Sequence, residues 1–153
     1  MIPRLNQEDL ALFDAVLRDL LEKTEASVAL IVERAGYLIH QSGTANCFDP
    51  VQVSTLAANA FAASEFLANL IQEPEFSGMY QQGSHISTLT LNVDGSCLLF
   101  VAFPAQLSAG AVKYYSTLAV RELAGQLEKA QNRAPGKGID LADLNPTDVG
   151  KVW

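Results

Sequence analysis

The sequence predicts an α+β domain in which one antiparallel sheet, assembled from hairpins, is covered by helices on both faces. Three observations carry this prediction. Leu89, Leu91 and Val93 alternate with Thr88, Thr90 and Asn92, and the run closes on Asp94-Gly95, a dipeptide that readily takes the positive φ angles of a tight hairpin turn. The next run, Leu98 to Phe103, is apolar at every position, as a central strand covered on both faces must be. Three longer segments show helical spacing, and the strands stand too close together in sequence for βαβ repetition except across the long helix.

Element by element, the order is α-β-β-α-β-β-β-α. Asn6 to Lys23 sets Leu10, Phe13, Leu17, Leu20 and Leu21 at helical spacing, with Asn6 as N-cap and Asp9 three residues on. Val28 to Val32 is a β-branched run; Ala35-Gly36 supplies a turn, and Tyr37 to Gln41 resumes an extended pattern before Ser42-Gly43. Asp49-Pro50 gives an N-cap followed by proline at the first helical position, with Gln52 placed for a capping-box-like arrangement, and the helix is expected from Pro50 to about Gln72. Three strands come next at Phe76 to Gln82, His85 to Val93 and Cys97 to Phe103, the last ended by Pro104. Ser108 caps a final helix with a Val112, Tyr115, Ala119, Leu123, Leu127 stripe that fades near Asn132. The expected domain is residues 1–132, with a flexible tail over 133–153 that has glycine and proline at its entry and apolar anchors further on.

Composition removes several function classes. With 49% hydrophobic and 18% charged residues in 153, the chain has material for one core and too little charge for disorder. Its net charge is -7, the wrong sign for holding a nucleic-acid backbone. From Ala35 to Val112 there is no Lys or Arg, while Asp49, Glu65, Glu73, Glu75 and Asp94 are all acidic. That span can neither grip phosphates nor meet an anionic membrane, and no apolar run is long enough to cross a bilayer. The first residues lack the apolar core of a signal peptide, so a cytoplasmic location is expected. Cys47 and Cys97 stand fifty positions apart without a C-x-x-C, which reads as two buried reduced thiols.

Nothing in the sequence assembles a catalytic, metal or cofactor site. His40 and His85 have no nearby partners at metal or nucleophile spacing, and Asp94 belongs to a turn. Ser42-Gly43 and Gly83-Ser84 lack the setting of a nucleophile elbow. Pro135-Gly136-Lys137-Gly138 has no glycine at the required distance before it and no Ser or Thr after its lysine, so it is no phosphate loop. Glu33 and Arg34 are expected to be solvated beside a turn. Phe100, Phe103, Tyr114 and Tyr115 could line a small-molecule cavity, although helical stripes and central strands account for them as core.

The long helix is apolar over more of its circumference than one sheet contact needs. Val53, Leu56, Ala60, Ala63, Leu67 and Leu70 form a stripe that can sit on the sheet, and Ala57, Phe61, Ser64, Ala68 and Ile71 form a second that wants a partner. The first helix or the tail could cover that second stripe within the same chain.

The element order, together with Val28 to Ile39, the Ala-rich Leu56 to Ser64 and Gln81-Gln82-Gly83, resembles the roadblock/LC7 family, most closely its bacterial MglB-like branch. The resemblance covers about Leu5 to Gln131 and rests on loose apolar and glycine patterns. It implies a profilin-like five-stranded sheet in the order 2-1-5-4-3, with one helix on one face and two on the other. It also implies a homodimer formed through the edge strand after the long helix, and a role as scaffold or regulator of a Ras-like small GTPase. The expected dimer or partner residues are Ala57, Phe61, Ser64, Ala68, Ile71, Phe76, Met79, Tyr80, Gln81 and Gln82. No enzyme activity, cofactor, nucleic acid or membrane is expected. The competing readings are a small-metabolite sensor and a structural adaptor with no GTPase.

Overall fold

In a computed structural model, which describes residues 2–46 and 48–133, the expected elements are present in the expected order. They are α1 (Gln7–Thr24), β1 (Val28–Glu33), β2 (Leu38–Gly43), α2 (Pro50–Leu70), β3 (Gly78–Gln81), β4 (Ile86–Asn92), β5 (Cys97–Pro104) and α3 (Ala109–Gln131). All strand pairings are antiparallel and the sheet order is β2-β1-β5-β4-β3. The central place of β5 explains its unbroken apolar sequence. Alternate residues enter two cores, one with Leu99, Val101 and Phe103 and the other with Leu98, Phe100 and Ala102. The first core lies under α1 and α3, where Phe13, Leu17, Leu20, Leu123 and Leu127 cover the sheet. The second lies under α2 alone and takes Val28, Leu30 and Val32 from β1.

The helix ends follow local chemistry. In α1 the Asn6 side chain accepts from Asp9 N–H at 2.9 Å, and the Asp9 carboxylate accepts from Asn6 N–H at 2.8 Å, a closed capping box. Glu25, with φ 61°, ends that helix in the left-handed conformation. At α2 the Asp49 carboxylate accepts from Val51 N–H at 3.0 Å, so the cap is met at the second helical position instead of at Gln52. That helix stops at Leu70, two residues short of expectation. Gln72 turns left-handed at φ 64°, and Glu73 N–H returns to Ala68 C=O at 2.8 Å ahead of Pro74.

The edge strand is shorter than the expected Phe76 to Gln82, with only Gly78 to Gln81 pairing to β4. Phe76 turns inward before the strand begins, and its ring meets Phe61 at a centroid distance of 5.0 Å.

The stripe of α2 that contacts the sheet is mainly the second one and not the one expected from periodicity, of which Val53 packs against the core. Ser54, Ala57, Ala58, Phe61 and Ala68 are buried, whereas Leu56, Ala60, Ala63, Leu67 and Leu70 face outward. Both stripes are apolar, so apolar spacing cannot choose between them. Polar contacts fix the rotation of the helix about its axis. The Thr55 hydroxyl donates to Gly36 C=O at 3.1 Å, where Gly36, at φ 104°, brings the β1–β2 turn close beneath the helix. Ten residues on, Glu65 meets Arg34 at 3.2 Å.

Cys97 is fully buried, and burial pushes its thiol up to about 11, which makes it a poor nucleophile. The expectations for Cys47, the Gly-Lys segment at 136–137 and the tail from residue 134 onward lie outside the described residues. No helix of the described residues is long and apolar enough to cross a membrane.

Candidate functional site

The outward face of α2 carries an apolar surface that no other described residue covers. Leu56 is 59% exposed, Phe66 66%, Leu67 58%, Leu70 68% and Ile71 69%, with Ala60 and Ala63 exposed between them. Glu65 is the helix's one charged residue. A surface of this kind presents large side chains to water with little charged surface to desolvate on burial. Beside it runs β3, whose outer edge has no strand partner among the described residues. The Ser64 hydroxyl lies 3.4 Å from the Met79 sulfur and links the helix to that edge.

The ten expected interface residues divide in this geometry. Ala57 and Phe61 are buried against the sheet and support the helix from below, and Ala68 is buried as well. Ser64, Phe76 and Met79 are half-buried between helix and edge. Ile71, Tyr80, Gln81 and Gln82 are exposed, and the Tyr80 ring leans on Phe103, on the α3 side of the sheet. The outward residues Leu56, Ala60, Ala63, Leu67 and Leu70 complete the surface. Sequence reasoning named them but assigned them to the sheet; Phe66 it did not name.

Arg34, expected to be solvated, is a structural clamp. Its guanidinium donates to Glu65 at 3.2 Å, to Asn92 Oδ1 at 2.6 Å and to Asp94 C=O at 3.3 Å, and its carbon centre stands 5.2 Å from the Phe61 ring centroid. One side chain thereby ties β1, the β4–β5 hairpin and α2 together. The separations of 31, 58 and 60 residues to these partners hide the clamp from a local reading of the sequence. Asp94 behaves as a turn residue, accepting from Ser96 and Cys97 N–H at 2.8 Å each.

The histidines are structural or exposed. His40 on β2 sits 2.9 Å from Asp14 on α1, and that contact, ahead of the neighbouring Arg18, holds the Asp14 carboxyl below its ordinary value. His85 is exposed and its ring nitrogen meets Ser84 Oγ at 3.0 Å. Among the described residues no three His, Cys, Asp or Glu side chains gather to hold a metal ion.

Two openings bear on small-molecule binding. A recess of about 60 Å³ between α1 and α3 is lined in part by Tyr115, Leu118 and Lys23. Tyr114 projects outward beside it, edge-on to Tyr115 at 5.2 Å. A larger groove of about 540 Å³ lies on the α2 face, with Phe100, Ala102, Ile86 and Thr88 among its lining. Phe103 is buried in the core under α1 and α3.

Sheet order, helix placement and this exposed helix-plus-edge surface define the molecule as a roadblock/LC7 fold. A Streptomyces avermitilis roadblock/LC7 domain superposes with a TM-score of 0.68 over 75% of this chain and 97% of that one, at 12% identity, and bears on the fold alone. Within that fold the chain is MglB-like. Myxococcus xanthus MglB is 27% identical, with a TM-score of 0.78 over 87% of this chain and 99% of its own. An MglB with a tetrameric arrangement is also 27% identical, with a TM-score of 0.77 over 84% and 96%. The gliding protein MglB of Thermus thermophilus is 26% identical, with a TM-score of 0.76 over 83% and 96%. No protein-family model and no curated protein matches the chain.

Proposed function

We propose that this protein is a non-enzymatic, cytoplasmic interaction module that forms a homodimer and docks a Ras-like small GTPase, whose nucleotide cycle or location it regulates. The observation that carries the proposal is the uncovered apolar face of α2 beside the open edge of β3. An unpaired strand edge next to a helix surface with a single charged residue favours association, and two-fold pairing closes both at once. Ala60 and Ala63 let two such helices approach closely, while Leu67 and Leu70 supply the buried area. The tetrameric arrangement of a similar MglB supports self-association.

The GTPase as partner rests on the MglB likeness together with the lack of basic side chains from Ala35 to Val112. A surface without basic groups suits binding a nucleotide-carrying protein better than binding the nucleotide itself. A small-metabolite sensor receives less support, since the 60 Å³ recess is too small for most metabolites and the groove over β4 and β5 is open to solvent.

Light scattering at micromolar concentration is expected to return about twice 16.5 kDa, and capture from native lysate is expected to retain a small GTPase. A monomer would remove the dimer, and filament proteins captured without any GTPase would favour a structural adaptor.

A further inference from the structure

The α2 helix crosses only one end of its face of the sheet. Thr55 sits on the β1–β2 turn at Gly36, and Glu65 meets Arg34 beside the β4–β5 turn, so the helix follows the end where β1 finishes and β5 begins. The opposite end, where β1 and β4 start and β5 finishes, lies under the groove of about 540 Å³. Phe100, Ala102, Ile86 and Thr88 meet Phe48 and Val53 along it, and no charged residue lines it. Its volume falls within the roughly 300–1,000 Å³ range of grooves that accept a ligand.

We propose that this groove is the seat of the chain's own C-terminal segment, with Val152 and Trp153 as its apolar anchors. Twenty residues come after Arg133, among them Ile139, Leu141, Leu144, Val149, Val152 and Trp153. The segment carries three acidic and two basic residues, and the side chains of Val152 and Trp153 are uncharged, so burying those two side chains in an uncharged groove strips water from no charged side chain. Length permits the path. Twenty residues reach up to roughly 66 Å when extended, whereas a domain of this size is roughly 36 Å across, from a radius of gyration of about 14 Å.

The segment leaves from the α1 and α3 side, where Arg133 is held by Asp9, and must round the sheet to reach the α2 side. Tethering decides between this occupant and a second copy of the chain. A linked segment meets the groove at an effective concentration of about a millimolar, enough for a contact of two anchors that would be too weak between free molecules. The seat does not depend on the chain binding a GTPase.

Trp153 is the chain's single tryptophan, so its fluorescence reports this seat alone. The full chain is expected to emit to the blue of free tryptophan at every concentration from micromolar to nanomolar. Ile86→Arg, at a half-exposed position on the groove, is expected to shift the emission to that of free tryptophan, and Thr88→Lys is expected to do the same. Circular dichroism verifies that each variant is folded. Emission like free tryptophan in the unaltered chain overturns the proposal. So does blue emission that neither variant moves, which places the indole elsewhere, or blue emission that disappears on dilution, which makes the occupant a second copy.

Discussion

Arg133 closes its guanidinium fork on both carboxylate oxygens of Asp9, at 2.8 and 3.0 Å, and so joins the second residue beyond α3 to the first turn of α1. Asp9 is fully buried and already serves the α1 capping box, and Gln126 donates to it at 2.7 Å. A buried carboxylate is tolerated only with such a full complement of donors. Arg133, the expected first residue of the tail, is thereby tied to the domain.

Removing the arginine leaves that carboxylate buried with weaker partners. Arg133→Ala is expected to lower unfolding stability by about 2 kcal/mol, below the roughly 3–5 kcal/mol for a wholly buried pair because Arg133 is partly exposed. Chemical denaturation at neutral pH measures this, and an unchanged midpoint would show that Gln126 and the Asn6 N–H suffice.

The same pair sets an acid limit. The Arg133 hydrogen bonds foremost, with further donors from Asn6 and Gln126, hold Asp9 at about 2 against an ordinary 3.8, in opposition to its burial. A depressed carboxylate stabilises the fold fully above its unfolded-state value and loses that contribution as pH falls toward the folded one. About 2 kcal/mol is therefore expected to disappear between about pH 5 and pH 2. Asp9→Asn should flatten this part of the stability curve, measured as denaturation midpoint against pH; a curve of unchanged slope would assign the acid loss to other carboxylates.

Truncation separates the domain from the C-terminal segment. Ending the chain after Arg133 is expected to leave denaturation stability within about 1 kcal/mol, because every buried stripe and the Asp9 pair are retained. Ending it after Asn132 should cost what Arg133→Ala costs. Shortening after Arg133 is also expected to weaken the regulatory effect proposed above on a small GTPase, read as nucleotide exchange, and equal exchange rates would show that residues 134–153 have no part in it.

The two faces of α2 should answer differently to charge. Leu67→Arg is expected to abolish self-association in light scattering with the fold intact, since Leu67 is exposed. Ala57→Arg, on the buried side, is expected to unfold the domain, because an unpaired guanidinium there loses its hydration under the helix. A Leu67→Arg protein that remains fully dimeric would mean that the pairing surface excludes the outward stripe.

Clamping by Arg34 has its own signature. Arg34→Lys is expected to destabilise by about 1–2 kcal/mol despite keeping the charge, because one ammonium cannot replace the spread of contacts to Glu65, Asn92 and Asp94 C=O. Hydrogen exchange should accelerate in the middle of α2 ahead of β5. Uniform acceleration across the domain would argue against a local clamp.

Most of the architecture was legible from local sequence. Asn6 with Asp9, Asp49-Pro50 and Ser108 mark helix starts through groups that bond within three residues, and Asp94 holds its turn through a carboxylate that accepts from Ser96 and Cys97 N–H, with neither Asp94 nor Gly95 at the positive φ expected of that dipeptide. The unbroken run in β5 announced a strand with a core on each side, because burial of both faces leaves no place for a polar alternate. Those signals act over a few residues. Rotation of α2, the inward turn of Phe76, the Arg34 clamp and the Asp9–Arg133 pair join positions 15 to 124 residues apart, and the tertiary structure alone decides them. An apolar stripe states that a face will be covered and leaves open by what. In α2 two stripes had equal claims, and the Thr55–Gly36 and Glu65–Arg34 contacts turned Ala57 and Phe61 toward the sheet and left Leu56 and Leu67 facing outward.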